Sequence, residues 1–221
     1  MNILLVSQDT QWSRNLFNLL KKDLNHNYFY SNSCDHEQIT NLNPDWIFFF
    51  HWGEIVLKEI YKNYRCVVLH TGTLPQARGG SPIQNQILDG IVQSEVNAIV
   101  MDKELDAGDI YYSLPITLQG SLMDIWLSIS DRAYELIQKC ITDNPRPTPQ
   151  CGEPSTYKRI KNNEIHLGPT KGLCYIYDQI RMVDAEGYPN AYLNINGFKL
   201  EFTRAKIEEN SIISDVRITK E

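Results

Sequence analysis

The sequence predicts an α/β fold: a mainly parallel sheet interleaved with helices, followed by a small helix and β-hairpin appendage. Three observations carry this. The short runs Asn2–Ser7, Trp46–Phe50 and Cys66–Leu69 are apolar without alternation, as strands covered on both faces are. Stretches of helical period lie between such runs. Past residue 150 the pattern changes, and Asn196-Gly197 sits between two alternating runs, a strong hairpin signal.

Asn2–Ser7 reads as a buried strand, and Asp9 or Thr10 can cap a helix with Trp12, Leu16, Leu19 and Leu20 inward. Tyr28–Tyr30 is a weak strand, and Asp35 caps a short helix. Trp46–Phe50 is a central strand, a helix is expected over Glu54–Tyr61, and Cys66–Leu69 is the next strand. A long Gly/Pro-rich loop runs to Pro82, with a helix around Ile83–Leu88. Val96–Met101 and Ile110–Pro115 are further strands. Ser121 with Asp124 forms a capping box, opening a long helix with Leu122, Ile125, Ile129, Ala133, Leu136, Ile137 and Cys140 inward. Asn144–Pro154, with Pro145, Pro147, Pro149 and Gly152, is the expected linker, dividing a catalytic domain 1–150 from a subdomain 151–221. In the latter, Thr170 caps a helix to about Val183. Tyr192–Ile195 and Phe198–Phe202 make the hairpin, and Ile212–Ile218 is a candidate third strand.

At 221 residues the chain can bury a sizeable core. Its net charge of -6 lies in residues 1–150, which hold 11 Lys/Arg against 17 Asp/Glu; residues 151–221 hold 10 of each. Neither part has the basic footprint of a nucleic-acid binder. The five cysteines, Cys34, Cys66, Cys140, Cys151 and Cys174, include no Cys-x-x-Cys pair and read as reduced thiols of a cytoplasmic protein. The N-terminus reads as a strand without a basic leader, and no segment is long enough to span a bilayer.

His70 closes an apolar strand and enters a loop with Gly72, Pro75, Gly79, Gly80 and Pro82. Asp102, Glu104, Asp106 and Asp109 crowd a second loop, without the terminal glutamate or glycine placement of a calcium site, so no metal is expected. Leu105, Ala107 and Gly108 around Asp106 suggest one acid turned inward. Adjacent parallel strands would set both loops at one carboxyl edge, with His70 as the base and Asp106 as its orienting acid.

These two blocks resemble the signature of the formyltetrahydrofolate-dependent formyltransferases. The family's first block, Asn-x-His-x-Ser-Leu-Leu-Pro, is matched by Val68-Leu69-His70-Thr71-Gly72-Thr73-Leu74-Pro75, continuing through Arg78-Gly79-Gly80-Ser81-Pro82-Ile83-Gln84. Its second, Leu-Asp-x-Gly, is matched by Leu105-Asp106-Ala107-Gly108. The resemblance implies a Rossmann-like formyltransferase fold, N10-formyltetrahydrofolate as formyl donor, and an Asn–His–Asp catalytic group. His70 and Asp106 carry over, but the asparagine position is Val68. Loss of one oxyanion donor costs on the order of a hundredfold in rate. Asn85 is the nearest replacement, with Thr71 and the loop's backbone amides as others, and Asn85→Ala is expected to lower turnover more than stability. The resemblance puts the folate against His51–Val56, with Trp52, Glu54 and Val56, and against Leu105 and Asp109 of the acidic loop.

The short, charge-balanced tail, with Tyr157-Lys158-Arg159 at its start, resembles the sugar N-formyltransferase branch. That branch implies a nucleotide-linked amino sugar as partner, of the 4-amino-4,6-dideoxy type used in nonulosonic (pseudaminic-type) acid pathways. Thr71, Arg78, Tyr157, Arg159 and Arg181, with Tyr188, are the candidate substrate contacts. A homodimer is compatible with the resemblance. The alternatives are a non-sugar amine such as methionyl-tRNA, or a catalytically weak folate or nucleotide-sugar binder because of Val68.

Overall fold

A computed structural model describes residues 1–161, 165–168 and 172–220. The order is β1 (Asn2–Ser7), α1 (Gln11–Leu20), β2 (Asn27–Ser31), α2 (His36–Leu42), β3 (Trp46–Phe50), α3 (Lys58–Asn63), β4 (Cys66–Thr71), β5 (Arg78–Gly79), α4 (Pro82–Leu88), β6 (Gln93–Val100), β7 (Ile110–Thr117), α5 (Leu122–Asp143), β8 (Thr156–Tyr157), α6 (Leu173–Arg181), β9 (Ala191–Ile195), β10 (Phe198–Glu208) and β11 (Ser211–Lys220). The main sheet has the order β2-β1-β3-β4-β6-β7. Pairs β1–β2, β1–β3 and β3–β4 are parallel, whereas β4–β6 is antiparallel. Pro115 is tolerated in β7 because that strand lies at the sheet's edge, where a missing N–H costs no ladder bond.

Two compact units are distinguished: residues 1–79, 94–116 and 127–156, and residues 80–93, 117–126 and 157–221. The stretch 1–150 thus gives 80–93 and 117–126 to the second unit. In the first, Leu4, Val6, Ile39, Ile47, Phe49, Ile60 and Cys66 form a buried cluster, with Cys34, Trp52 and Val56 packed against it. In the second, β9, β10 and β11 make an antiparallel sheet. The Asn196-Gly197 turn, both residues at positive φ, joins β9 to β10, as the sequence requires. No helix among the described residues is long and apolar enough to cross a membrane.

Local signals set the starts of α1, α2 and α5. Thr10 accepts from the Ser13 N–H and Asp35 from the Gln38 N–H. Ser121 and Asp124 bond reciprocally, the Ser121 N–H to Asp124 and the Asp124 N–H to Ser121. Every residue expected inward on α5, from Leu122 to Cys140, is buried. The expected Thr170 cap lies outside the described residues, and α6 begins after Gly172.

Two expectations fail for clear reasons. The helix expected over Glu54–Tyr61 starts only at Lys58, because His51 turns the chain at φ 47° and Ile55, with no core to pack on, is 96% exposed. The stretch Asn144–Pro154 is no free linker. Ile110 and Thr148 exchange backbone hydrogen bonds of 2.8 and 2.9 Å, and the Ser155 N–H donates to the Pro75 carbonyl at 3.2 Å. Its prolines mark irregular backbone correctly, but that backbone is bonded to the loops around His70.

Candidate active site

His70 is the penultimate residue of β4, paired with Asn97 on β6. Side chains two apart on a strand, and those directly opposite across a pair, share a face, so Val68, His70 and Asn97 lie on one side of the sheet and Thr71 on the other. The imidazole is held at both ends. Its Nε2 lies 2.7 Å from the Ala77 carbonyl oxygen, which can only accept, so Nε2 carries a hydrogen and donates it. Its Nδ1 lies 3.5 Å from Asp106 Oδ2, with the two side chains 6% and 8% exposed. The same Oδ2 accepts from the Gly79 N–H at 3.0 Å.

Asp106 does not arrive by the route expected from parallel strands. Because β6 runs antiparallel to β4, it ends beside the start of β4, where the Met101 N–H donates to the Cys66 carbonyl at 3.0 Å. The acidic loop must turn back to bring Asp106 to the imidazole. It does so with Asp106 at φ 52°, a left-handed conformation that aspartate tolerates better than most residues. Gly108 completes the return: a Cβ there would stand 1.7 Å from the Val100 carbonyl oxygen.

Sequence reasoning missed two side chains. Asn97 is fully buried, its Nδ2 donating to the Gly72 carbonyl at 2.7 Å and its Oδ1 accepting from Ser113 at 2.5 Å. An asparagine inside the run Val96–Val100 was the available signal, since a buried amide must find partners. Gln150 gave no such signal. Its Oε1 accepts from Arg78 Nε and Nη2 at 3.1 and 2.7 Å, and its Nε2 donates to the Asp106 and Gly108 carbonyls, both at 2.8 Å.

Other candidates fall elsewhere. Asn85 Nδ2 donates to the carbonyls of Gly80, Ser81 and Lys158 at 3.1, 2.9 and 2.9 Å. Its two amide hydrogens are already engaged, so it acts here as a backbone staple and not as a spare oxyanion donor. Thr71 is buried on the face opposite His70. Arg78 is turned to Gln150. The Tyr157 hydroxyl donates to Asp89 at 2.8 Å, and burial with that carboxylate pushes its pKa up to about 12. Arg159 lies against Gly80, where a Cβ would come within 2.7 Å of its own Cβ. Arg181 is nearly buried and donates to the Leu118 and Gly120 carbonyls and to Asp178. Burial raises the Tyr188 hydroxyl, which accepts from the Trp126 indole at 3.3 Å. Leu105 is 70% exposed, Glu54 is exposed, and the Asp109 carbonyl accepts from the Val100 N–H. Trp52 and Val56 are partly buried against the core, and the Trp52 indole N–H is buried with no acceptor among the described residues. No metal-binding group of His, Cys, Asp or Glu occurs among the described residues.

A mainly parallel sheet carrying a histidine–aspartate pair with buried side chains at its face makes this an α/β protein with a candidate site at that pair. Residues 6–139 match a family profile described as formyl transferase, and the chain belongs to that family. Residues 161–219 match a second profile, described as the C-terminal domain of methionyl-tRNA formyltransferase. A solved structure of methionyl-tRNA formyltransferase from Clostridium thermocellum is 34% identical, covers 100% of each chain and superposes with a TM-score of 0.96. Methionyl-tRNA formyltransferase from a Nitratiruptor species is 33% identical over 162 residues, 71% of this chain and 49% of the relative. The chain spans about half the length of the curated relatives it matches. A 4-N formyltransferase from Francisella tularensis is 16% identical, with a TM-score of 0.65 over 88% of this chain and 93% of that one, a likeness of fold alone.

These findings overturn the expectation of a nucleotide-linked amino sugar as partner, and of no nucleic acid. The tail assigned to the sugar branch is the segment that matches the methionyl-tRNA formyltransferase profile. Tyr157 and Arg181 misled because their polar groups serve the local fold, so they do not report a sugar. Net charge misled because it averages over the chain and is silent on local phosphate contacts.

Proposed function

We propose that this chain transfers the formyl group of N10-formyltetrahydrofolate to the α-amine of methionyl-tRNA. The observation that carries the reading is the end-to-end likeness, tail included, to a methionyl-tRNA formyltransferase at 34% identity. The residues fit the folate: the Trp52 indole supplies a buried donor without an acceptor among the described residues, in the segment the resemblance assigns to the pterin. When bound, the folate supplies an electrophilic formyl carbon.

The chain's own residues manage the proton. The attacking amine must lose one, and His70 takes it. Nδ1 is the ring atom with a lone pair for this proton, because Nε2 already donates its hydrogen to the Ala77 carbonyl, and the N–H formed at Nδ1 faces the Asp106 carboxylate. Asp106 steadies the charge the ring gains, and the Gly79 N–H keeps its Oδ2 in place.

One observation favours a second reading, weak catalysis. Val68 offers no donor on His70's face, and Asn97 and Asn85 are engaged. The test is to incubate the protein with N10-formyltetrahydrofolate and methionyl-tRNA, following tetrahydrofolate release and formylmethionine by mass. Formylation of the charged tRNA, lost in His70→Asn, supports the proposal. Formylation of a different amine, with methionyl-tRNA untouched, overturns it. Folate binding with negligible turnover on every amine establishes the second reading.

A further inference from the structure

We infer that Gln150 is a positioning residue for the His70–Asp106 pair, acting through the loop that carries Asp106. The orientation of its amide is unambiguous. Arg78 can only donate, so it must face Oε1; the carbonyls of Asp106 and Gly108 can only accept, so they must face Nε2. The two carbonyls flank Ala107, in the tight return where Asp106 adopts φ 52°. Arg78 is bound in turn through its backbone, its N–H donating to the Ser155 carbonyl at 3.3 Å. Its neighbour Gly79 gives its N–H to Asp106 Oδ2. The segment 148–155 therefore grips both sides of the pair, β5 through Arg78 and the acidic loop through Gln150. Misplacement of a reacting group by about 1 Å costs on the order of a hundredfold in rate.

This inference rests on the proposed formyl transfer for its rate readout, but not for its spectroscopic one. Gln150→Glu separates the two ends of the side chain. A carboxylate keeps the partner of Arg78 and strengthens it by charge, but it has no hydrogen for the Asp106 and Gly108 carbonyls. The expected result is a fall in kcat of about tenfold to a hundredfold with KM changed less than about threefold, and a shifted imidazole 15N spectrum of His70 at one fixed pH in the ligand-free protein. Gln150→Ala is expected to do the same. Far-UV circular dichroism and the thermal midpoint show whether each variant is folded. A folded Gln150→Glu protein with an unchanged His70 spectrum overturns the inference, whatever the assay shows, because Gln150 would then serve Arg78 alone. A shifted spectrum in a protein that formylates nothing leaves the positioning intact and sinks the proposed reaction instead.

Discussion

Val68 stands where the signature has its asparagine; Gly72 and Thr73 also depart from it, in place of its serine and first leucine. Val68 lies two residues before His70 on the same face of β4, half-buried. Val68→Asn is expected to raise kcat by about tenfold or more, since an oxyanion donor contributes about two to three decades where its geometry is right. Tetrahydrofolate release under saturating substrates measures it, and an unchanged or lower rate would mean that another group already fills the role. Asn85 leads to the opposite expectation. Its amide joins the carbonyls of Gly80, Ser81 and Lys158. Asn85→Ala should therefore lower unfolding stability by about 1–2 kcal/mol while kcat of the folded protein stays within about threefold. A large kcat loss at unchanged stability would restore it to the chemistry.

At the scale of elements, the acidic loop depends on a tight return beside β6. Gly108→Ala would drive a Cβ to 1.7 Å from the Val100 carbonyl oxygen, which belongs to the backbone and cannot swing aside. The expectation is a loss of about 1–3 kcal/mol in stability, with turnover falling more than about tenfold as Asp106 moves. Denaturant melts and the formylation assay check it, and a variant with both near wild type would refute this account of the loop. The same element shows how far the sequence could be read. His70 and Asp106 were legible as residues because their motifs are local. Their route together was not, because apolar periodicity gives a strand's faces and not its direction, and β6 reverses. Gln150 was illegible for a related reason: it lies in a Pro-rich stretch whose composition reports irregular backbone but not what that backbone bonds to. The capping residues Thr10, Asp35 and Ser121 were legible because a cap reaches no further than the first helical turn.

Across the whole molecule, buried thiols set a limit on alkaline stability. Burial raises Cys66 and Cys140 to about 12 each, and the half-buried Cys34 to about 11. A raised thiol pKa keeps the folded form neutral while the unfolded chain ionises near its ordinary value. The unfolded state therefore holds fewer protons, and stability falls as pH rises from about 9 toward 12. Each deeply buried thiol contributes a slope of about 1 kcal/mol per pH unit in that window. Urea melts from about pH 8 to about pH 11 should show falling midpoints, flattened in Cys66→Ala with Cys140→Ala. Equal slopes in the two proteins would rule the thiols out as the cause.

The bonds that hold His70, Asp106, Gly79, Arg78 and Gln150 all join residues of the first compact unit. Descendants of an ancestral gene could consequently trade one tail for another, and so acquire new recipients, while inheriting the reactive machinery bond for bond.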